Sequence, residues 1–358
     1  MLLRIQDDEL LHSYISRSIL LNFNDPSVKF LGRMSKSSLR SSEIKTIATV
    51  MGWQGCHGFN RILHCHTDYP IVALFKSPKD LAYSSGEYVV SEGRCFGSNR
   101  VESALCPECI RCDVTDLGFA YWRRSHQNGM KVCAKHNVKL IFDCPFCGSP
   151  FAHNGHDFDV LWKSCEGRHL KETFSLCNYD DEELKRAKLY REMLFHEFHI
   201  PEETALRALL CKVKSIEASG GWNLRHFRDF DFGKLALELE SALQQAIDRY
   251  WLNDSSYYSY EDLIFNSLLV GYVDFDEFLE SIKYARIKER AINSLWQTYR
   301  SNSRYAETAE YVDDDQLLGG GHWSRPYPSQ LSKLLGSKDW FHSMNTRWYK
   351  PQFRGAFP

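Results

Sequence analysis

Between residues 106 and 169 the sequence sets cysteine and histidine in pairs. They read C-P-E-C-I from Cys106, V-C-A-K-H ending at His136, C-P-F-C-G from Cys144 and C-E-G-R-H ending at His169. As ligand pairs this is C-x2-C, 23 residues, C-x2-H, 7 residues, C-x2-C, 17 residues and C-x3-H. Two residues between donors allow one tight turn to present both side chains to the same ion. Four thiolate or imidazole donors make the tetrahedral set that zinc prefers. Pro107 and Pro145 after the first cysteines and Gly148 after Cys147 suit such turns, because each fixes or permits the dihedrals required. The spacing predicts two structural Zn2+ ions, one held by Cys106, Cys109, Cys133 and His136, the other by Cys144, Cys147, Cys165 and His169. Cys177 is the alternative thiolate for the last position, while Cys95, Cys112 and Cys211 are read as bystanders. A further group, His64, Cys65 and His66 with Cys56 and His57 nearby, repeats no knuckle spacing and is read as ordinary packing and surface residues.

Each set as read uses four protein ligands and leaves no coordination position open for water or substrate. No H-E-x-x-H, deaminase, Walker-type or G-x-S-x-G pattern accompanies them. The chemistry implied is binding rather than catalysis, with a metal-dependent hydrolase as the competing class. The 358 residues carry a formal charge of −2, which argues against a uniformly basic nucleic-acid coat and leaves room for a local basic face. Early acids at Asp7 and Asp8 argue against a secretory signal, and no apolar run approaches membrane-spanning length. A cytoplasmic protein whose cysteines bind metal, rather than pairing as disulfides, is the expectation.

The elements that would position these ligands are mainly α-helical, and three regions are expected. Residues 1–98 form an N-terminal helical region resembling a helix-turn-helix, residues 99–178 a tandem zinc-ribbon or knuckle module, and residues 179–358 a C-terminal helical domain with an aromatic and basic tail. Asp7 or Asp8 is placed to cap a first helix carrying Leu10, Leu11, Tyr14, Ile15 and Ile19. Ser41-Ser42-Glu43 opens a second, with Ile44, Ile47, Ala48 and Met51 on one face and Gly52 as its stop. The pattern fits a helix-turn-helix and equally any small helical bundle. Between the knuckles, Tyr121, Trp122, Arg123, Arg124 and His126 form an aromatic and basic run. It reads either as a helix packing Tyr and Trp on the cluster with solvated arginines, or as an arginine pair meeting phosphate or an acidic partner.

Further helices are predicted from Asp180 through Phe198, from Pro201 toward Ile216, over 232–251, 260–269, 275–284 and 287–299, with a loop at Asp313–Gly321. The tail from Trp340 to Pro358 mixes Trp340, Phe341, Trp348, Tyr349, Phe353 and Phe357 with Arg347, Lys350 and Arg354. That many aromatics imply docking, on its own domain or on a partner.

The whole string, C-P-E-C-I, G-F-A-Y-W-R-R-S-H-Q, V-C-A-K-H and C-P-F-C-G, resembles the TniQ/TnsD family of transposon target-site selectors. D-D-E-L-L-H-S-Y-I-S-R-S at Asp7–Ser18 and H-T-D-Y-P-I-V-A-L-F at His66–Phe75 agree with it, so the likeness covers roughly residues 5–175. The resemblance implies a helix-turn-helix-containing N-terminal region, zinc-ribbon-like modules at the cysteines named, and no chemistry at those residues. It implies recruitment of the AAA+ ATPase TnsC. Longer TnsD-type members read a chromosomal DNA site directly, and shorter TniQ-type members dock on an RNA-guided Cascade complex, often as dimers. By length this chain is placed nearer the shorter type. It departs from the family at Cys165, where family members often have a C-x-C-G pair and this chain has Glu166-Gly167.

Overall fold

The computed structural model describes residues 3–22, 38–53, 55–76, 95–96, 103–151, 155–196, 198–219, 231–252, 261–287 and 342–343. The chain divides into two compact units. One comprises Met1–Pro70 with Val90–Phe195, the other Ile71–Val89 with His196–Pro358. The helical N-terminus and the cysteine-rich stretch thus share the first unit.

The first unit opens with α1 (Leu11–Asn22), then β1 (Leu39–Arg40), α2 (Ser41–Val50) and α3 (Gly55–His66). α2 forms where expected: Glu43 turns back onto the Arg40 backbone N–H, and Ile44, Ile47 and Ala48 are buried. Its end is marked by Gly52 at φ 78°, with Trp53 N–H donating to the Ala48 carbonyl at 2.8 Å, the left-handed stop that glycine permits. α3 packs against α2 across this short turn, which makes a helix-turn-helix pair. A Cβ on Gly58, in the first turn of α3, would strike the Trp53 carbonyl, so only glycine lets the turn close this tightly.

α1 begins one residue after Leu10, whose carbonyl accepts from Tyr14 N–H at 3.1 Å. Neither Asp7 nor Asp8 caps it. Asp8 adopts φ 63° and turns instead to Ser125, accepting from its N–H at 3.2 Å and from its hydroxyl. Glu9 and Arg17, both buried, pair at 2.8 Å, and Glu9 also accepts from Gln6 N–H and Ser13 Oγ. Burial raises the pKa of this carboxyl despite these partners, each of which favours the charged form.

α4 (Tyr69–Leu74) leads into β2 (Phe75–Lys76) of the second unit, and β3 (Cys95–Phe96), in the first, pairs antiparallel with β1. The cysteine-rich stretch then supplies α5 (Pro107–Leu117), three short 3-10 turns at 124–126, 158–161 and 170–172, and otherwise extended chain joined by isolated bridges. Gly118–Gln127 is therefore not a helix. Trp122 is the centre of the core, wholly buried, with Phe151 and Phe158 edge-on at 5.5 and 5.2 Å. Its indole N–H donates to the Phe158 carbonyl at 2.9 Å. Its backbone carbonyl accepts from Leu10 N–H at 2.8 Å, and its own N–H donates to Ser13 Oγ. α6 (Asp181–Phe195) closes the unit. It stops three residues short of the predicted end, so Phe198 lies outside it.

In the second unit Phe198 falls in β4 (Phe198–Pro201), which pairs parallel with β2 and antiparallel with β5 (His342–Ser343), the later of the two taken with α7 (Glu202–Ala218), α8 (Phe232–Leu252), α9 (Glu261–Gly271) and α10 (Phe275–Ile287) before it in the chain. These four helices match the predicted positions closely. α7 is the central one, with Ala205, Leu206, Leu209 and Val213 buried, and it packs on α8, α9 and α10. The helix expected over 287–299, the loop at Asp313–Gly321 and the aromatic tail fall outside the described residues, apart from β5. No helix among the described residues is long and apolar enough to cross a membrane.

His66, at the end of α3, is buried with its Nδ1 donating to the Glu9 carbonyl at 3.1 Å, and burial pushes its pKa down to about 3. The unfolded chain therefore takes up a proton below about pH 6.5 that the folded chain refuses, and stability falls as pH drops toward 3. We expect His66→Gln to remove about 1.4 kcal/mol of the wild-type loss between pH 7.5 and 5.5, about one proton's worth, measured by urea unfolding.

Candidate metal centre

Two turns in the cysteine-rich stretch share one geometry. At Cys133–His136 the Asn137 N–H donates to the Cys133 carbonyl and Cys133 N–H to the Val138 carbonyl, both at 2.9 Å. At Cys144–Cys147 the Gly148 N–H donates to the Cys144 carbonyl and Cys144 N–H to the Ser149 carbonyl, both at 2.8 Å. In each the residue after the second donor is left-handed, Asn137 at φ 51° and Gly148 at φ 71°. That conformation turns the chain back after delivering two side chains to one side, and glycine and asparagine tolerate it best. The Cys106 pair works differently. Cys106 is the N-cap of α5, its sulfur accepts from Cys109 N–H, and Pro107 occupies the first helical position, where a missing N–H costs nothing.

These turns bring Cys106, Cys109, Cys133 and His136 together, as the spacing predicts. The Sγ atoms of Cys109 and Cys133 lie 3.8 Å apart, and His136 Nδ1 lies 3.5, 3.4 and 3.7 Å from Cys106, Cys109 and Cys133. A tetrahedron with bonds of about 2.3 Å to sulfur and about 2.0 Å to nitrogen has edges of about 3.8 and about 3.5 Å. The donor set therefore fits a tetrahedral soft cation without rearrangement. All three thiols are buried and cannot ionise independently. Hydrogen bonds from Cys106 and Cys109 hold Cys133 well below the ordinary thiol range, and Cys109 is held above it. A divalent cation at the centre would favour the thiolate form at every position.

The second group is Cys144, Cys147, His156 and Cys165, with all four donor atoms within 4.8 Å of one another. His156 Nε2 lies 3.1 Å from Cys147 Sγ and 3.4 Å from Cys165 Sγ. His169, the ligand expected from spacing, is elsewhere. Its Nε2 meets the Leu161 carbonyl at 3.0 Å, and its Nδ1 accepts from Lys171 N–H and so caps the 3-10 turn at 170–172. The reason is local. Cys165 and Arg168 exchange both backbone hydrogen bonds across Glu166 and Gly167, at φ 52° and 76°, which makes a two-residue reversal rather than a knuckle. That turn carries His169 away from Cys165. His156 reaches the cluster because its N–H hooks to the Pro150 carbonyl at 2.8 Å. The close passage is open only because Gly155 has no Cβ to strike the same carbonyl. The signal available in the sequence was this Gly155-His156 pair, with eight residues between Cys147 and His156 and eight between His156 and Cys165. Cys177, which is exposed, and Cys112, which is half-buried, both lie outside the two groups. The side chains of Cys56 and His57 lie outside the described residues.

The two centres differ in shelter. All three thiols of the first are buried, whereas Cys147 of the second is exposed and His156 partly so. Hydrogen bonds from Ser149, helped by His156 and Cys165, bring the Cys147 thiol down to about 6, while burial and its neighbouring thiols push Cys165 up to about 12.

Arg123, Arg124 and His126 are not surface contacts. Arg123 grips Asp113 with two bonds of 2.7 Å, stacks on Tyr121 at 4.3 Å, and sets its positive charge near Cys109. Arg124 is buried, its Nη1 donating to the His64 carbonyl at 2.7 Å and the Thr67 carbonyl at 3.3 Å, with Asp8 at 3.6 Å and the Phe195 ring at 4.7 Å. His126 is buried, and its ring beside Cys133 helps lower the pKa of that thiol. Bidentate guanidinium chemistry is present, but its acid and carbonyl partners belong to the same unit. Arg347, Lys350 and Arg354 lie outside the described residues.

A helix-turn-helix pair fixed to a Cys3His centre defines a helical domain organised by soft-metal ligands. Residues 1–140 match the family model described as TniQ, so the chain carries a TniQ domain over that stretch. No curated protein matches the chain. TniQ domains are associated with target selection in transposition. The match includes the first centre and ends before the second, although Phe151, Phe158 and Leu161 beyond residue 140 pack in the same core as Trp122.

Two outcomes follow. His156→Ala is expected to lower the bound metal of purified protein from two equivalents to one, and His169→Ala to leave two, measured by inductively coupled plasma mass spectrometry. A fragment of residues 1–140, stripped of the aromatic partners of Trp122, is expected to lack a cooperative thermal transition that a 1–196 fragment retains, followed by tryptophan fluorescence.

Proposed function

We propose that the protein is a non-enzymatic adaptor for target-site selection in DNA transposition, bridging a target-recognition complex to the AAA+ regulator TnsC. The observation that carries this reading is the TniQ domain over residues 1–140, which contains the helix-turn-helix pair and the first centre. On this reading both centres hold structural Zn2+: four protein donors close each coordination sphere, so the metal fixes fold and activates nothing. The recognition complex is an RNA-guided Cascade assembly, the protein is cytoplasmic, and the basic tail residues Arg347, Lys350 and Arg354 are the remaining candidates for partner contact. A second reading, direct recognition of a chromosomal site in the TnsD manner, is favoured by the helix-turn-helix pair itself.

Capture of purified TnsC, Cascade with guide RNA, and duplex DNA on immobilised full-length protein at moderate salt tests both. Binding of TnsC and Cascade, without tight duplex binding, is the expected result. Tight, salt-dependent binding of one duplex together with TnsC moves the chain to the direct-reading type, and failure to bind TnsC overturns both readings.

A further inference from the structure

Six cysteines furnish thiol donors to the two centres, and five of them are buried. Cys147 is exposed, and a Cβ on the neighbouring Gly148 would meet nothing within 4 Å. Oxidation of a cysteine follows its exposure, so this sulfur is the first of the six that a peroxide in solution meets. A second thiol must lie close by if the reaction is to stop at a reversible stage. Cys144 and Cys165 both qualify by distance, because the donor atoms of this centre all lie within 4.8 Å of one another. A disulfide needs about 2.0 Å between sulfurs, so one of the partners has to shift.

The two candidates differ in how freely they can do so. Cys144 is 1% exposed, inside the core formed with Trp122 and Phe151, whereas Cys165 is 9% exposed at the rim of that core. Cys165 also opens a chain reversal whose Glu166, Gly167 and Arg168 all face solvent. Arg168 lies over the Phe146 ring at 4.2 Å, so this reversal already rests against the Cys147 knuckle. His156 Nε2 touches both sulfurs, 3.1 Å from Cys147 and 3.4 Å from Cys165. Cys165 is the partner that burial restrains less.

We propose that Cys147 and Cys165 form a redox switch, which a peroxide closes as a disulfide while the first centre stays reduced. The Cys147 thiolate attacks one peroxide oxygen: an S–O bond forms, the O–O bond breaks, and the departing hydroxide takes up a proton to become water. The Cys165 thiolate then attacks the Cys147 sulfur. An S–S bond replaces the S–O bond, and a second hydroxide leaves and is protonated. Two thiolates lose two electrons in all, and one peroxide gains them with two protons to give two waters. Cys144 and His156 would remain as donors, half the set that zinc requires, so a bound ion would leave. The disulfide ties the two loops together in place of the ion, and a dithiol reverses the step. Metal release rests on the zinc reading of this centre, whereas the disulfide requires only the two thiols.

Full-length protein, freed of reductant under nitrogen and titrated with hydrogen peroxide, tests this. Released metal is followed with a chromogenic zinc chelator, and the products by peptide mass spectrometry without reduction. Wild type is expected to lose one of two zinc equivalents and to yield a linked peptide joining Cys147 to Cys165. Dithiothreitol with added zinc is expected to restore the lost equivalent. Cys147→His, which keeps four donors but removes the exposed thiol, is expected to retain both equivalents under peroxide. Cys177→Ser, which removes an exposed thiol outside the centres, is expected to behave as wild type. Release without the Cys147–Cys165 disulfide, loss of both equivalents together, or a wild type that keeps both overturns the proposal. Fewer than two equivalents before peroxide overturns the zinc reading instead, and the linked peptide still decides the switch.

Discussion

Four soft donors have to meet at one point, and then a second four must meet at another, all within the sixty residues from Cys106 to Cys165. A chain that short cannot also build a conventional layered core, so the ligand turns take over that role. Each turn spends its backbone hydrogen bonds on reversing direction, and the extended pieces between them are left to carry the apolar side chains. Trp122 sits on such a piece, between the two ligand pairs of the first group. Its ring packs against Phe151 and Phe158 from the second ligand region, and its backbone is bonded to Leu10 and Ser13 at the start of α1. The placement of the N-terminal helix thus depends on where the ligands converge.

The arginines extend that dependence to the helix-turn-helix pair. Arg124 is buried among groups that could not otherwise be left dry: the last carbonyls of α3, the Asp8 carboxylate and the face of Phe195. A buried charge is tolerated only when its partners are in place, so this residue keys α3 to the chain leaving the first cluster. Arg123 does the same for α5 through Asp113. In sequence an R-R pair beside aromatics suggests a surface for phosphate. In the folded unit the aromatics and the arginines are parts of one interior.

What could be read ahead of the fold follows from how local the determinants are. The first ligand set was legible because every turn in it is set by residues within five positions: Pro107 at a helix start, Asn137 after His136. The helices α2 and α6 to α10 were legible from apolar spacing and helix-stop residues such as Gly52. His156 was missed because its entry depends on Gly155 slipping past Pro150, a steric fact between residues with no motif of their own. His169 was mistaken for a ligand because C-x3-H counts residues and says nothing of handedness, and two left-handed residues in a row send the chain the other way. Asp8 was read as a cap for the helix nearest in sequence, whereas it caps Ser125, more than a hundred residues on.

The unequal shelter of the two centres has a thermodynamic consequence. A ligand that binds only the folded state adds RT ln(1 + [L]/Kd) to stability, about 1.4 kcal/mol for each tenfold rise in free ligand above Kd. At a buried centre, exchange of a bound metal would be gated by opening of the fold, and the metal would behave as a fixed part of the chain. At a centre with Cys147 facing water, a bound ion would equilibrate with solution while the rest of the unit stays folded. The packing of Phe151 and Phe158 on Trp122 would then become a function of the free-metal level of the surroundings. The same polypeptide would have one stability in a metal-replete cell and another in a starved one, with no change in sequence.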